Sequence, residues 1–340
     1  MPKSKIKIMQ IGIIRLSALG DITQSMIALD LIKRKVPDSS IDWFVDEKFK
    51  GLLEYNPNIR KIHYLNFPEN SKKKIIRTVF SLRRQLRNVG QYDYVIDLQG
   101  LIKSSLISYL IKAKYRCGFD KKSIKESVAS LFYNKKYNAS YGQNVILRYL
   151  GLVSFSLNFD YEREYIENKT SYLFYKNNKV IDSYQQKTLI FVGASFKSKE
   201  LPIKLYHHIL SRVDTNFLIL WGNEREYHIA KELAEKYKNV EISKKLNLNQ
   251  LKGVIANSNL VIGADTGPVH MAWALCKPSL ILFGPTLLQR NTYLTDINKA
   301  LATKQQVDVY KIPKEGNFFD NLDYDEVVDV LEELLNLNKL

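Results

Sequence analysis

The feature that most limits how this chain can fold is a strand–loop–helix–strand pattern in its second half. An apolar run ends at residue 262, and a small-residue loop at 263–267 precedes an apolar helix. Pro268 suits the first helical position, because its missing N–H could not be used there anyway. A second apolar run at 280–283 leads into the loop 284–286. The stretch therefore predicts a buried βαβ unit with two loops at one edge of a parallel sheet.

The loop 263–267 is suited to bind an anion. A helix that begins there directs free backbone N–H groups and the positive end of its dipole at whatever lies above the strand ends. An ordinary βαβ turn without a ligand is the alternative, since short glycine-containing loops are weak signals. The Asp-Thr-Gly triplet also occurs in aspartic proteases, but that chemistry needs two such carboxylates, and the sequence has no second copy.

The charge balance favours an anionic partner. Lys and Arg number 51 against 35 Asp and Glu, which is a net charge of +16 over 340 residues. Nucleic acids, nucleotides, phosphorylated lipids and membrane surfaces are partners of that kind. A hydrophobic share of 45% allows two domains, each with its own core. Cys117 and Cys276 match no metal or redox spacing and indicate a reducing compartment.

A second small-residue loop follows the first predicted strand, which covers residues 6–16. Its last residue, Asp21, begins a helix that continues to about Lys35. Asp21 is therefore expected just past the carboxyl end of a strand, the edge at which open α/β sheets bind ligands. The alternative is a carboxylate that only stabilises the helix start through the dipole.

Basic side chains concentrate in two segments of the first half, 112–136 and a predicted helix at 71–87. That helix carries seven and no acidic residue: Lys72, Lys73, Lys74, Arg77, Arg83, Arg84 and Arg87. A solvated helix face normally mixes charges. A phosphate site or an anionic membrane, where each basic side chain contributes about 1 kcal/mol, is therefore favoured over a face that only aids solubility.

Strands and helices alternate twice along the chain, on either side of a polar stretch at about 162–186. This pattern is typical of two α/β domains. We expect an N-terminal Rossmann-like domain over 1–165 and a linker over 166–187. A second Rossmann-like domain is expected over 188–340. Asp323 and Asp325 suit a helix start better than a metal site.

Four short motifs are spread over almost the full length of the chain. They are Arg15-Leu-Ser-Ala-Leu-Gly-Asp-Ile22, Asp97-Leu-Gln-Gly-Leu-Ile-Lys-Ser104, Lys199-Glu-Leu-Pro202, and Asp265-Thr-Gly-Pro-Val-His270 with Phe283-Gly-Pro-Thr286. Together, in this order, they resemble those of the heptosyltransferases of glycosyltransferase family 9, although Leu201 stands where the family often has Trp. The resemblance implies the GT-B fold, in which two Rossmann-like domains face each other across a cleft. In such enzymes the N-terminal domain, here 1–165, binds the acceptor, and the C-terminal domain, here 188–340, binds the nucleotide-sugar. The resemblance also suggests a C-terminal helix that packs back on the N-terminal domain.

The resemblance implies a role for each matching residue. Asp21 matches the catalytic base, and Lys199 matches the lysine that contacts the donor phosphates. The remaining implied donor-binding residues are Ser195, Glu226 (for the ribose hydroxyls), Asp265, Thr266, Gly267 and His270. The acceptor-binding residues expected are Lys72, Lys73, Lys74, Arg77, Arg83, Arg84, Gln99 and Lys103. No cofactor and no metal are expected.

Within the family, the segment Glu126-Ser-Val-Ala-Ser-Leu-Phe-Tyr-Asn-Lys135 resembles the heptosyltransferase I subfamily. That subfamily transfers L-glycero-D-manno-heptose from ADP-heptose to the Kdo residue of Kdo-lipid A. Heptosyltransferase II, or another family-9 transferase with a different acceptor, is the nearest alternative. The resemblance implies an ADP-heptose donor, a Kdo-lipid A acceptor and inversion by single displacement.

The chemistry of such a transfer fits these residue types. A base must take the proton of the acceptor hydroxyl, and positive charge or N–H dipoles must stabilise the departing diphosphate. Asp21 suits the first task, while Lys199 and the helix near Thr266 suit the second without a metal. Because these groups lie in different predicted domains, we expect domain closure to assemble the site.

Two other classes of protein are less consistent with the sequence. A non-catalytic nucleic-acid-binding module would show a helix-turn-helix, zinc-finger or RRM signature, and none is present. An epimerase or dehydrogenase would carry Gly-x-Gly-x-x-Gly after the first strand, which 14–21 lacks. No transmembrane run and no secretory signal are expected. We therefore predict no nucleic-acid partner and a cytoplasmic enzyme held peripherally on the anionic inner leaflet of the inner membrane.

Overall fold

The computed structural model describes residues 8–67 and 75–337, with the side chains of Ile75 and Ile76 excepted. The chain divides into two compact units, Met1–Arg163 and Glu164–Leu340. In the described residues each unit is built on one sheet of six strands, and every pair of neighbouring strands runs parallel. Parallel strands need a crossover between them, and α-helices supply most of these crossovers.

The first unit has the strand order β3-β2-β1-β4-β5-β6. Its strands are β1 (Gln10–Ile14), β2 (Ser40–Asp46), β3 (Lys61–Leu65), β4 (Tyr92–Asp97), β5 (Ala113–Phe119) and β6 (Lys135–Tyr137). Its helices are α1 (Leu19–Ser25), α2 (Ile27–Lys35), α3 (Lys50–Leu53), α4 (Ile75–Gln85), α5 (Ile102–Leu110) and α6 (Val145–Leu157). Short 3-10 helices cover Glu47–Phe49 and Ser127–Phe132.

The second unit has the order β12-β11-β10-β7-β8-β9. Its strands are β7 (Thr188–Phe191), β8 (Phe217–Leu220), β9 (Val240–Ile242), β10 (Leu260–Ala264), β11 (Ser279–Phe283) and β12 (Asn298–Ala302). Its helices are α7 (Glu164–Glu167), α8 (Lys179–Asp182), α9 (Ile203–Arg212), α10 (Glu224–Lys236), α11 (Leu248–Ala256), α12 (Gly267–Ala274), α13 (Leu288–Asn291) and α14 (Tyr324–Leu337). A 3-10 helix covers Lys197–Lys199.

Both sheets have the same doubly wound topology. In each, the first strand of the unit lies at the centre, and the chain builds outward on one side before it crosses to the other. The order reverses between β1 and β4 in the first unit and between β7 and β10 in the second. Loops that leave the carboxyl ends of these two strand pairs diverge, and the crevice between them is where such sheets bind ligands.

The apolar pattern explains why these strands are central. Every residue of β7, β8, β10 and β11 is buried, as expected for strands that helices cover on both faces. In the first unit, Ile14, Phe44 and Val95 from three adjacent strands belong to one core cluster. Polar side chains that could bind a substrate are therefore confined to the loops at the strand ends.

The C-terminal helix corrects one expectation. We expected it to pack back on the N-terminal domain, but the buried residues of α14 belong to the core of the second unit. There Leu331 and Leu334 join a cluster with Leu205 and Ile209 of α9. The apolar face of α14 is buried in the unit that precedes the helix in sequence.

Smaller differences concern boundaries. Helix α6 begins at Val145, because Asn144 caps it by accepting a hydrogen bond from Ile146 N. The described part of the helix expected at 71–87 is α4. The prediction that Asp323 starts the last helix is confirmed, since its Oδ1 accepts hydrogen bonds from Asp325 N and Glu326 N.

The packing of α14 yields a first prediction. Leu331→Ala should lower the free energy of unfolding of the second unit by about 2–5 kcal/mol, because it leaves a cavity in a fully buried site. Leu337→Ala, at an exposed position of the same helix, should change it by less than about 0.5 kcal/mol. Urea unfolding of both variants measures the difference. Equal values would show that α14 does not contribute to this core.

Candidate active site

The first group of predicted residues lies at the switch point of the first unit. Asp21 is in the first turn of α1, which follows the carboxyl end of β1. Its carboxylate is paired with Arg15, whose Nη2 lies 2.8 Å from Asp21 Oδ1. Tyr149 Oη donates to the same oxygen at 3.3 Å. The Asp21 side chain is 41% exposed, so solvent and substrate can reach the carboxylate.

Arg15 holds this carboxylate from a buried position. Its Nη1 donates to Leu98 O at 2.8 Å, and its guanidinium carbon is 5.3 Å from the centre of the Tyr149 ring. Burial alone would lower the pKa of Arg15, but the negative charge of Asp21 raises it above its ordinary value. A permanently charged guanidinium at this distance fixes the direction of the Asp21 carboxylate.

The loop after β4 reaches the same place. Gln99 Oε1 accepts a hydrogen bond from Leu16 N at 2.8 Å, which ties this loop to the one that leads to Asp21. Asp97 is fully buried and accepts hydrogen bonds from Gln99 N and from Tyr133 Oη, so its role is to shape the loop. Burial raises the pKa of Asp97.

Lys103, another predicted acceptor-binding residue, lies at the start of α5. Its Nζ is 2.9 Å from the centre of the Phe67 ring. Burial lowers the pKa of Lys103 to about 8, an effect that the Asp46 carboxylate opposes and Lys48 increases. Phe67 follows β3, and Asp46 is the last residue of β2. Lys103 therefore lies at the carboxyl edge of the sheet, where Asp21 also lies.

The basic helix is described only in part. Arg77, Arg83 and Arg84 are exposed on α4. Lys72, Lys73 and Lys74 lie outside the described residues. The acceptor-binding role of all six stays a prediction.

The second group lies at the switch point of the second unit, around the buried carboxylate of Asp265. This residue follows β10. Lys199, from the loop after β7, donates to Asp265 Oδ2 at 2.8 Å and to Asp265 O at 2.9 Å. His270 Nε2 is 2.8 Å from Oδ1, and Thr286 Oγ1 donates to Oδ2 at 2.7 Å. Asn291 Nδ2 adds a longer contact of 3.2 Å.

These partners determine the charge of Asp265. Burial alone would raise the pKa of its carboxyl, but the Lys199 ammonium and the hydrogen bond with His270 outweigh burial and hold the pKa well below the usual range. Asp265 is therefore an ionised buried group that orients Lys199. The two contacts use two of the three N–H donors of the Lys199 ammonium, which leaves one for a ligand.

The start of α12 completes this group. Thr266 is the N-cap residue and Gly267 the first helical residue, so Pro268 lies one position later than predicted, still within the first turn. Thr266 Oγ1 is excluded from solvent and makes no hydrogen bond within the described residues. An unsatisfied hydroxyl beside the free N–H groups of a helix N-terminus is an arrangement that an anion can satisfy.

Glu226 and Ser195 follow the adjacent strands β8 and β7. Glu226 lies in the first turn of α10 after β8, and its carboxylate accepts hydrogen bonds from Gly222 N and Asn223 Nδ2, each at 2.6 Å. It also lies against Gly193, where an added Cβ would be 2.2 Å from Glu226 Oε1. Ser195 is exposed on the loop after β7.

Several contacts were not predicted from the sequence. Tyr149, from α6, reaches Asp21 across 128 positions of sequence, and Asn291, from α13, contacts Asp265. Neither lies in a recognisable motif. Thr286 does lie in a loop that the sequence placed at this edge.

Comparison with known proteins determines the family. The family model described as glycosyltransferase family 9 (heptosyltransferase) matches residues 79–312. The chain belongs to glycosyltransferase family 9. The transferase is 37% identical to lipopolysaccharide heptosyltransferase 1 of Campylobacter coli, over 96% of this chain and 99% of that protein. It is 27% identical to the protein of the same name from Salmonella typhimurium, over 82% and 89%.

The fold agrees with this family. The structure of the E. coli heptosyltransferase WaaC with ADP-2-deoxy-2-fluoro heptose superposes with a TM-score of 0.77 at 22% identity. The match covers 96% of the transferase and 99% of that chain. The predictions of a GT-B fold and of a family-9 glycosyltransferase are confirmed.

Two features are absent from the described residues. Across 8–67 and 75–337, no three His, Cys, Asp or Glu side chains are grouped as metal ligands would be. Over the same ranges, no helix has the length and apolarity that a bilayer-spanning helix needs.

The buried ion pair yields a second prediction. Asp265→Asn should destabilise the second unit by about 3–5 kcal/mol near pH 7, because it leaves the Lys199 ammonium uncompensated. The folded-state pKa of Asp265 lies below its unfolded value of about 3.9, so the wild-type stabilisation is complete above that value and declines as the pH falls below it. The difference in the free energy of unfolding between wild type and Asp265→Asn should therefore become smaller as the pH falls.

Urea unfolding along a pH series measures this difference in the free energy of unfolding. Asp296→Asn, at an exposed carboxylate of the same unit, is the matched control and should change stability little at any pH. A difference for Asp265→Asn that stays constant down to about pH 3 would contradict the assigned ion pair.

Proposed function

We propose that the transferase moves L-glycero-D-manno-heptose from ADP-heptose to the Kdo residue of Kdo-lipid A, in lipopolysaccharide inner-core synthesis. One observation carries this proposal: each unit gathers its predicted residues at its own switch point. A carboxylate suited to act as a base lies at one, and an anion-binding cluster at the other. The names of the relatives support the heptose and the lipopolysaccharide acceptor.

In this proposal Asp21 is the base. It takes the proton of a Kdo hydroxyl as that oxygen attacks the anomeric carbon of the heptose. Arg15 keeps the Asp21 carboxylate directed before the reaction. The attack forms the new glycosidic bond, breaks the bond between the anomeric carbon and the diphosphate oxygen, and inverts the anomeric configuration.

The second group binds the donor. The remaining N–H of Lys199, the free N–H groups at the start of α12 and the Thr266 hydroxyl are assigned to the diphosphate. As the bond to the sugar breaks, negative charge accumulates on ADP, and these donors stabilise it. Glu226 is assigned to the ribose hydroxyls, since each carboxylate oxygen can accept further hydrogen bonds. The mechanism requires neither a metal nor a cofactor.

The acceptor explains the basic character of the first unit. Lipid A and Kdo carry phosphates and carboxylates, so the predicted acceptor-binding side chains have a suitable partner. These are Lys72, Lys73, Lys74, Arg77, Arg83, Arg84 and Lys103. An acceptor embedded in the inner membrane also places the transferase peripherally on the cytoplasmic face of that membrane.

Turnover tests the proposal. With ADP-heptose and Kdo-lipid A, wild type should release ADP only when the acceptor is present. Asp21→Asn keeps the size of the side chain but cannot accept the proton, and it should lower kcat by about 100- to 10,000-fold. Asp30→Asn is the matched control, because Asp30 pairs with Arg34 on α2 and should leave turnover unchanged.

Different results of this turnover assay would refute different parts of the proposal. Wild-type kcat in Asp21→Asn would refute the assigned base. ADP release with heptosylated Kdo-lipid A, but not with Kdo-lipid A, would identify heptosyltransferase II activity instead. No release with any nucleotide-heptose would refute the proposed donor.

Lys103 adds a prediction on pH. Because its pKa is about 8, its ammonium loses charge between about pH 7 and pH 9. The KM for Kdo-lipid A should therefore rise over this interval. Lys103→Arg stays charged and should abolish the rise, whereas Lys103→Met should show the high KM at every pH. A rise that persists in Lys103→Arg would show that another group causes it.

A further inference from the structure

An apolar ridge stands out on the surface of the first unit. It consists of Ile102 and Tyr109 on α5 and Val128 and Leu131 on the neighbouring 3-10 helix. Their exposed fractions are 45%, 57%, 52% and 75%, respectively. Adjacent exposed apolar groups of this size mark an interaction surface, whereas single exposed groups do not.

The geometry of the two helices makes the ridge continuous. Ile102 and Tyr109 are seven positions apart, about two turns, and so lie on one face of α5. Val128 and Leu131 are three apart, which places them on one face of a 3-10 helix. Ile102 N donates to Glu126 Oε2 at 2.7 Å, and the Tyr109 and Phe132 rings are 5.7 Å apart. The helices therefore lie side by side from start to end.

Positive charge is concentrated in the segment that connects the two helices of the ridge. Between 112 and 126 there are six basic residues against two acidic ones: Lys112, Lys114, Arg116, Lys121, Lys122 and Lys125 against Asp120 and Glu126. The Arg116 guanidinium carbon is 5.9 Å from the centre of the Tyr109 ring. Both acidic side chains accept local hydrogen bonds, Asp120 from Asn138 and Glu126 from the start of α5.

We propose that this apolar ridge docks on an anionic lipid surface. Apolar side chains that enter the boundary between headgroups and acyl chains, flanked by basic residues that pair with headgroup phosphates, are typical of proteins that lie on a membrane. The apolar face of α5 is about 10 Å long, so it enters one interface and does not span the bilayer. The basic segment 112–126, with Arg116 beside Tyr109, is what favours a lipid surface over an apolar protein partner.

The position of the ridge agrees with the proposed function, on which this step rests. Helix α5 begins just after Gln99, at the sheet edge that carries Asp21. A membrane that contacts the start of α5 therefore lies near the edge where a lipid-linked acceptor would be deprotonated.

Vesicle flotation tests the docking directly. We expect the purified protein to float with vesicles of phosphatidylethanolamine and phosphatidylglycerol, and weakly with phosphatidylcholine alone. The double variant Val128→Ser, Leu131→Ser removes apolar surface without a change in charge, and it should weaken the partition coefficient at least about tenfold. Leu294→Ser with Ile312→Ser, at exposed apolar positions of the second unit, is the matched control and should bind as wild type does.

Activity on two acceptors separates this inference from the proposed function. With O- and N-deacylated Kdo-lipid A in solution, the Val128→Ser, Leu131→Ser variant should keep wild-type turnover. With Kdo-lipid A in vesicles, its turnover should fall. No turnover by wild type on either acceptor would refute the proposed function but would not affect the flotation result.

Three results would overturn the docking inference. They are wild type that does not float with anionic vesicles, a double variant that floats as wild type does, and a wild-type dimer in sedimentation that the double variant abolishes. The last would show that the ridge binds a second copy of the chain.

Discussion

Within each of the two described sheets all strands run in one direction, and this constraint determines where chemistry can occur. The chain must leave every strand at the same edge of its sheet and return through a crossover on one of the two faces. The central strands are covered on both faces and carry apolar residues throughout. Polar side chains near the centre of each sheet are therefore placed at the carboxyl ends, where Asp21 and Asp265 follow β1 and β10.

Each of these two carboxylates is paired with a cation from an adjacent part of its own unit, but the pairs differ in exposure. Asp265 is buried, and its charge is tolerated because Lys199, His270 and Thr286 all contact its oxygens. Asp21 remains partly open while its partner Arg15 is buried. The first arrangement suits a group that orients others, and the second suits a group that reacts with a substrate.

The sequence predicted the alternation of strands and helices, because buried strands and amphipathic helices have different apolar periods. It also placed Asp21, Lys199 and Asp265 at strand ends, since small-residue loops after apolar runs are local signals. It did not predict β5, β6, β9 or β12, of which β6 and β9 are only three residues long. The packing of α14 was predicted on the wrong unit, because an apolar stripe does not specify which surface covers it.

By itself, the sequence determined the two α/β halves, the loops with candidate catalytic groups and, through four motifs in order, the family. These are consequences of local periodicity, turn chemistry and short spacing. Only the tertiary structure decided that Tyr149 reaches Asp21, that Asp265 after β10 binds Lys199 after β7, and that Ile102 and Leu131 share one exposed ridge. Such contacts join residues tens to more than a hundred positions apart, and chain proximity carries no information about them until the sheets have formed.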